Sequence, residues 1–168
     1  MDIQEQNRQF QALIAPHKGI LHKVARTYCP DEEDRQDLLQ EMMIQIWRAL
    51  PGYNSAYKAS TWLYRIALNV AISFYRKQRT RKTHSSPLSD AAPTVQETDK
   101  SEQQEQLALL EQFISELKEL DKALILLYLE EKPQAEIAEI LGISVSNVAT
   151  KVGRIKARLK VKFSLINT

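Results

Sequence analysis

Apolar residues recur every three or four positions along most of the chain, and no run alternates with the two-residue period of a strand. The pattern predicts an all-α protein. Three helical stretches are expected up to residue 82. The first runs roughly from Ile3 to Tyr28, where Cys29-Pro30 breaks it. The second begins in "DEEDRQDLL", whose acids suit a helix N-terminus, and ends at Pro51-Gly52. The third follows the polar loop "GYNSAYKA", with Ser60 or Thr61 as its N-cap.

Helical wheels divide the second and third stretches into two faces each. In the second, Leu38, Leu39, Met42, Met43, Ile46 and Leu50 share one arc and read as core. The opposite arc holds Asp37, Gln40, Glu41, Ile44, Gln45 and Arg48, with Trp47 on the border. Ile44 is either a lone exposed aliphatic side chain or, with Trp47, an anchor for a protein partner. In the third, Ala59, Leu63, Ile66, Ala67, Val70 and Phe74 form the inward stripe. Arg65, Asn69, Ile72 and Arg76 lie opposite, with Trp62 and Ser73 at the edge, and Tyr64 and Tyr75 on the packing flank. Cations, an amide and an indole on one face suit nucleic acid: Arg meets phosphate, Asn reads a base edge, and an aromatic ring stacks on an unpaired base. A solvated face with a half-buried Trp is the alternative.

The periodicity stops at residues 83–102, "THSSPLSDAAPTVQETDKSE", which are rich in Ser, Thr, Pro and acids. This reads as a flexible acidic linker between two small helical domains, residues 1–82 and 103–168. Beyond it, Leu107, Leu110, Ile114 and Leu117 form one stripe, and Asp121 is expected to cap an apolar helix through Leu129. Pro133 opens the next helix and Gly142 closes it with a left-handed turn. Ile143 plugs that turn and Ser144 caps the following helix. Val145, Val148, Val152, Ile155 and Leu159 then point inward. Ser146, Asn147, Thr150 and Arg154 point outward, flanked by Lys151 and Arg158. Two short helices joined by a Gly–apolar–Ser turn, the second one basic, predict a helix-turn-helix that reads the major groove. An αα-hairpin without a ligand would need the apolar stripe but not the basic face.

Charge strengthens the nucleic-acid reading. The net charge is only +2, yet residues 1–82 carry +5, residues 83–139 carry −9 and residues 140–168 carry +6. Chemistry of other kinds finds little support. The single cysteine, Cys29, forms neither an internal disulfide nor a zinc cluster, which suits a reducing, cytoplasmic setting. "MDIQEQNRQF" has no apolar core of a secretory signal, and the longest apolar run, Ala123 to Leu129, is too short to cross a bilayer, so no membrane insertion is expected. The histidines His17, His22 and His84 form no metal-ligating motif, and no phosphate-binding glycine loop or nucleophile elbow occurs. No catalytic residue, metal or cofactor is expected.

Three segments, "DLLQEMMIQIWRALPGY", "STWLYRIALNVAISFYRK" and "AEIAEILGISVSNVATKVGRIKARLK", occur in this order at this spacing. Together they resemble a bacterial RNA polymerase sigma factor of the extracytoplasmic-function group in the sigma-70 family. The resemblance covers nearly the whole chain apart from the linker and the ends. It implies a three-helix sigma region 2, a helix-turn-helix sigma region 4, and a non-catalytic specificity subunit of the polymerase. It assigns Asp37, Gln40, Glu41, Ile44, Trp47 and Arg48 to the clamp helices of the largest polymerase subunit. It assigns Tyr53, Asn54, Tyr57, Lys58, Ser60, Trp62, Arg65, Asn69, Ser73, Arg76, Lys77 and Arg79 to opening and reading the −10 element. It assigns Ser144, Ser146, Asn147, Thr150, Lys151, Arg154 and Arg158 to the −35 element. The implied partners are core RNA polymerase, through its clamp helices and flap region, promoter DNA, and an anti-sigma factor that no residue here identifies. The competing reading is a stand-alone helix-turn-helix regulator. The recognition helix departs from the family's usual Thr-Val-Lys-Ser-Arg, having Asn147, Val148, Ala149, Thr150 and Lys151 instead.

Overall fold

The computed structural model describes residues 2–84 and 101–166, and these are helices and turns without a strand. The expected first helix is two helices, α1 (Ile3–Ile14) and α2 (Lys18–Tyr28). A 3-10 turn at Ala15–His17 divides them. The cause is Pro16, which has no N–H to donate and whose ring crowds the preceding turn. The N-terminal unit therefore has four helices, not three. α3 (Glu32–Ala49) starts at Asp31, whose carboxylate accepts the Asp34 N–H at 3.0 Å, with Glu32, Glu33 and Asp34 in its first turn. A second 3-10 turn, Leu50–Gly52, ends it. α4 (Ala59–His84) begins earlier than either expected cap. The Trp62 N–H bonds the Lys58 carbonyl at 3.2 Å, so Ser60 and Thr61 already lie inside the helix and cap nothing.

Val24 and Ala25 of α2, Leu38, Met42 and Ile46 of α3, and Leu63, Ala67 and Leu68 of α4 form the core of this unit. The inward stripe of α4 is turned from the one expected. Tyr64, Leu68 and Ala71 are buried, while Ala59, Ile66, Val70 and Phe74 are only half-buried. The reason is tertiary: α4 is covered by α2 and α3 on one side and by the C-terminal unit on another. On α3, Leu39 is half-buried and Met43 exposed, so the arc taken as core is narrower than its apolar residues.

In the C-terminal unit, α5 (Glu102–Ser115) opens with a reciprocal cap in which Ser101 and Gln104 bond each other's backbone N–H. Leu107 is exposed, and Leu117 and Phe113 are the buried members of this region. α6 (Glu119–Leu129) starts after Lys118 without a side-chain cap, so Asp121 sits in the first turn and does not cap. Ala123 through Leu127 are all buried, which explains their unbroken apolar run. α7 (Gln134–Leu141) begins just after Pro133. Gly142 then adopts φ +68°, and the N–H groups of Gly142 and Ile143 both bond the Ala138 carbonyl. α8 (Val145–Ile166) is capped by Ser144, whose hydroxyl accepts the Asn147 N–H at 3.1 Å. Val148, Val152, Ile155 and Leu159 are buried as expected. Val145 is exposed, because a first-turn side chain tilts toward the helix start and there is no earlier turn to cover.

The two helical domains pack against each other, α2 and α4 of the first against α5, α6 and α7 of the second. Of the expected linker, residues 85–100 lie outside the described residues. The described helices trim it from both sides, at His84 and at the Ser101 cap.

Candidate functional site

Three surfaces carry the candidate residues. The first is the outer face of α8. Ser146, Asn147, Thr150, Arg154 and Arg158 are exposed, and Lys151 is half-buried. The polar groups at its start are held locally: the Ser146 and Ser144 hydroxyls lie 3.2 Å apart, and the Thr150 hydroxyl donates to the Ser146 carbonyl at 3.0 Å. Arg158 is drawn toward Asp121 at 3.9 Å, so it sits at the rim of the face and Arg154 at its middle. The glycine turn and the buried valines fix this helix while leaving a polar, cationic stripe in solvent, the shape a major groove accepts.

The second surface is the outer face of α4 with the preceding loop. Arg65, Asn69 and Ser73 are exposed on successive turns. Trp62 is half-buried, and its indole lies 4.6 Å from the Tyr53 ring, so these two form one aromatic unit at the start of the helix. The Tyr53 hydroxyl donates to the Tyr57 carbonyl at 2.9 Å, and the Asn54 side chain accepts the Ala56 N–H at 3.0 Å. These bonds shape the loop and leave the Tyr57 ring exposed. Ser60 is not an outward group: its hydroxyl is buried without a partner. Arg76 and Arg79 lie further along the helix, with Arg76 about 21 Å beyond Trp62 at 1.5 Å per residue. They face the C-terminal unit, as described below, and Lys77 is exposed between them.

The third surface is an open groove of about 1070 Å³ between α1, α2 and α3. Phe10, Ile14, Leu21, Leu39, Met43 and Ile44 give it an apolar floor. Asp37, Gln40, Trp47 and Arg48 also line it, and Glu41 is exposed beside it, accepting from Gln45 at 3.0 Å. Five of the six residues expected to meet a protein partner thus line one groove, and Glu41 does not. Trp47 is anchored: its indole N–H donates to Asn7 at 2.9 Å, and its carbonyl accepts from the buried Gln6 at 2.7 Å. The wall built by α1 was missed in the sequence, because a polar helix with few apolar residues shows no sign of which neighbour it will flank.

A set of contacts between the units was also illegible in the sequence. Glu136 of α7 accepts from the buried Thr61 hydroxyl at 2.9 Å and approaches Lys58 at 3.7 Å. Glu119 of α6 pairs with Arg76 at 3.0 Å and Arg79 at 3.8 Å. Its own backbone N–H, then Arg76, hold the Glu119 carboxyl below the usual carboxylate range. The Tyr28 hydroxyl donates to the Glu119 carbonyl, and burial pushes this phenol up. Lys122 is buried with its ammonium 4.2 Å from the Tyr75 ring and 5.7 Å from Tyr28. Desolvation pulls its pKa down.

Two helical domains, one with a helix-turn-helix and the other with an aromatic and cationic helix face beside an apolar groove, define a multi-surface DNA-facing protein. The comparisons agree with that class. Residues 13–81 match the family description Sigma-70 region 2, and residues 107–159 match Sigma-70, region 4. The RNA polymerase sigma factor CnrH of Cupriavidus metallidurans is 30% identical over 162 residues, covering 90% of this chain and 85% of that protein. The ECF RNA polymerase sigma factor SigM of Mycobacterium tuberculosis is 27% identical over 160 residues, covering 95% and 79%. The fold is similar to that of CnrH solved in complex with the cytosolic domain of CnrY. There the TM-score is 0.68 at 24% identity, covering 95% of this chain and 90% of that one. It is also similar to the sigma factor RpoE solved with the anti-sigma factor NepR from Bartonella quintana, with TM-score 0.65 at 20% identity over 94% and 96%. The chain belongs to the sigma-70 family of RNA polymerase sigma factors, in its extracytoplasmic-function group.

Proposed function

We propose that this chain joins core RNA polymerase as its promoter-specificity subunit and directs where transcription starts. Residues 1–82 open and read the −10 element, residues 103–168 read the −35 element in the major groove, and residues 83–102 connect them. The observation that carries this reading is the pairing of two different outward faces in one chain. α8 offers small polar groups backed by cations, which suits duplex DNA. α4 offers an aromatic pair followed by Arg65 and Asn69, which suits an unpaired strand.

In this reading the groove beside α3 takes the polymerase clamp helices, with Ile44 and Trp47 as apolar contacts and Asp37, Gln40, Glu41 and Arg48 around them. The C-terminal unit meets the flap region. Polymerase supplies most of the affinity, so neither DNA-facing surface must bind tightly alone. The chain contributes recognition and no covalent chemistry, and it works in the cytoplasm, where polymerase and promoter are. Among the described residues no helix is long and apolar enough to cross a membrane, and no group of His, Cys, Asp and Glu could hold a metal. The relatives solved with CnrY and with the anti-sigma factor NepR make a protein inhibitor a natural further partner.

The test is transcription from promoter DNA by core polymerase with and without this protein. Initiation should depend on it. Replacing Arg65 and Asn69 together by Ala should impair promoter opening while core polymerase binding stays near the wild-type level. Equal loss of polymerase binding would remove these residues from the strand-reading role.

A further inference from the structure

Two neighbouring residues of α1 hold Trp47 of α3 at both ends. The Asn7 side-chain oxygen accepts the indole N–H at 2.9 Å, and the buried Gln6 amide donates to the Trp47 carbonyl at 2.7 Å. An indole nitrogen is a donor only, so a wall that fixes the ring must offer it an acceptor, and Asn7 does. The second bond has its own cause. Trp47 lies in the last turn of α3, and the residue four positions on, whose N–H would meet its carbonyl in a longer helix, is Pro51. Proline has no N–H to give. Gln6 supplies one from another helix, which accounts for the burial of this amide among the polar residues at the start of α1.

Asn7 is exposed and Trp47 half-buried, and both line the groove between α1, α2 and α3. The other tryptophan, Trp62, is held differently, by ring contact with Tyr53. Gln6 and Asn7 both precede residue 13, where the match to region 2 begins, so the hold on Trp47 comes from outside the matched segment. A loose indole on a helix surface exchanges between rotamers, and a partner that docks on it must arrest it. An indole already tied down loses less freedom on binding.

We propose that Asn7 is a positioning residue for polymerase binding. It fixes the Trp47 indole at the groove wall before the partner arrives, and Gln6 locks the backbone from which the ring hangs. This rests on the assignment of the groove to the polymerase clamp helices. Asn7 acts through Trp47 and needs no contact with polymerase itself.

The test measures binding of the full chain to core polymerase for wild type, Asn7→Leu and Asn7→Asp. Leu is close to Asn in size but accepts no hydrogen bond, whereas Asp keeps the acceptor. Asn7→Leu should weaken binding about fivefold, the scale of ordering one large side chain, and Asn7→Asp should stay within about twofold of wild type. The chain has two tryptophans, so a nitrogen–proton correlation spectrum of the free protein shows two indole peaks, assigned with a Trp62→Phe sample. Asn7→Leu should shift the Trp47 peak and speed its exchange with water, leaving the Trp62 peak in place. Asn7→Asp should keep the exchange of Trp47 near the wild-type rate. In a Trp47→Phe background no indole N–H remains at this position, and Asn7→Leu should cost nothing further. An equal loss in that background would make Asn7 a direct contact and overturn positioning. The same loss in Asn7→Asp as in Asn7→Leu would overturn it too. If the wild type binds core polymerase and Asn7→Leu binds as tightly despite a shifted Trp47 peak, positioning alone fails. If the wild type does not bind core polymerase, the underlying functional reading fails.

Discussion

The outer faces of α8 and α4 both read as polar and cationic on a wheel, yet the fold treats them differently. On α8, Ser146, Asn147, Thr150 and Arg154 remain in solvent, and their hydrogen bonds are to residues within one turn. On α4, Arg65, Asn69 and Ser73 are exposed, but Thr61, Arg76 and Arg79 are engaged by carboxylates forty or more residues away in the chain. A wheel reports which residues are not core. It does not report whether solvent or another domain lies opposite. The difference matters because a side chain already bonded within the chain must exchange that partner before it can bind another.

Substitutions can sharpen that contrast. The largest effect should come from beneath the α8 face. Ile155→Ala removes a buried side chain and should lower stability by about 2–5 kcal/mol in urea unfolding followed by circular dichroism. Ile44→Asp, in the groove beside α3, should weaken core polymerase binding by about 2 kcal/mol or more if Ile44 is an anchor, with an unchanged helical signal. A collapsed signal would place Ile44 in the core instead. Arg154→Ala touches the α8 face itself. Stability should stay within about 0.5 kcal/mol of wild type, while −35 recognition by the holoenzyme weakens by about 1–3 kcal/mol. Unchanged promoter preference would relegate Arg154 to phosphate or solvent. The smallest effect is expected at the seam on α4. Thr61→Val deletes one hydrogen bond to a carboxylate that retains Lys58 and Lys132 nearby, so a stability loss of about 1 kcal/mol in the same unfolding assay should result. If Thr61→Val cost as much as Ile155→Ala, the seam would be behaving as core.

Local rules carried the C-terminal unit well. Gly142 takes the left-handed turn, Ser144 caps α8, and Val148, Val152, Ile155 and Leu159 are buried. Each depends on residues within a few positions, which a sequence displays directly. Misreadings arose where one position had two plausible uses. Asp121 could cap a helix, but the α6 start lies earlier, at Glu119, and Asp121 instead faces Arg158. Ser60 and Thr61 could cap α4, but both lie inside it, where Thr61 bonds the other unit. Trp62 looked like an edge residue, and it is joined to Tyr53 by a loop whose shape no short motif encodes.

By itself the sequence determined the helical class, the two domains, the helix-turn-helix and the family. The first three follow from short-range periodicity and turn chemistry, and the family from the resemblance carried by three segments in order. Only the tertiary structure decided that α1 and α2 build a groove beside α3, that Lys122 is buried between Tyr28 and Tyr75, and that Glu119 and Glu136 close on α4. The physical reason is that a charge pair between distant residues depends on the packing of whole helices. That packing is chosen by the summed burial of both units, not by the charges it brings together.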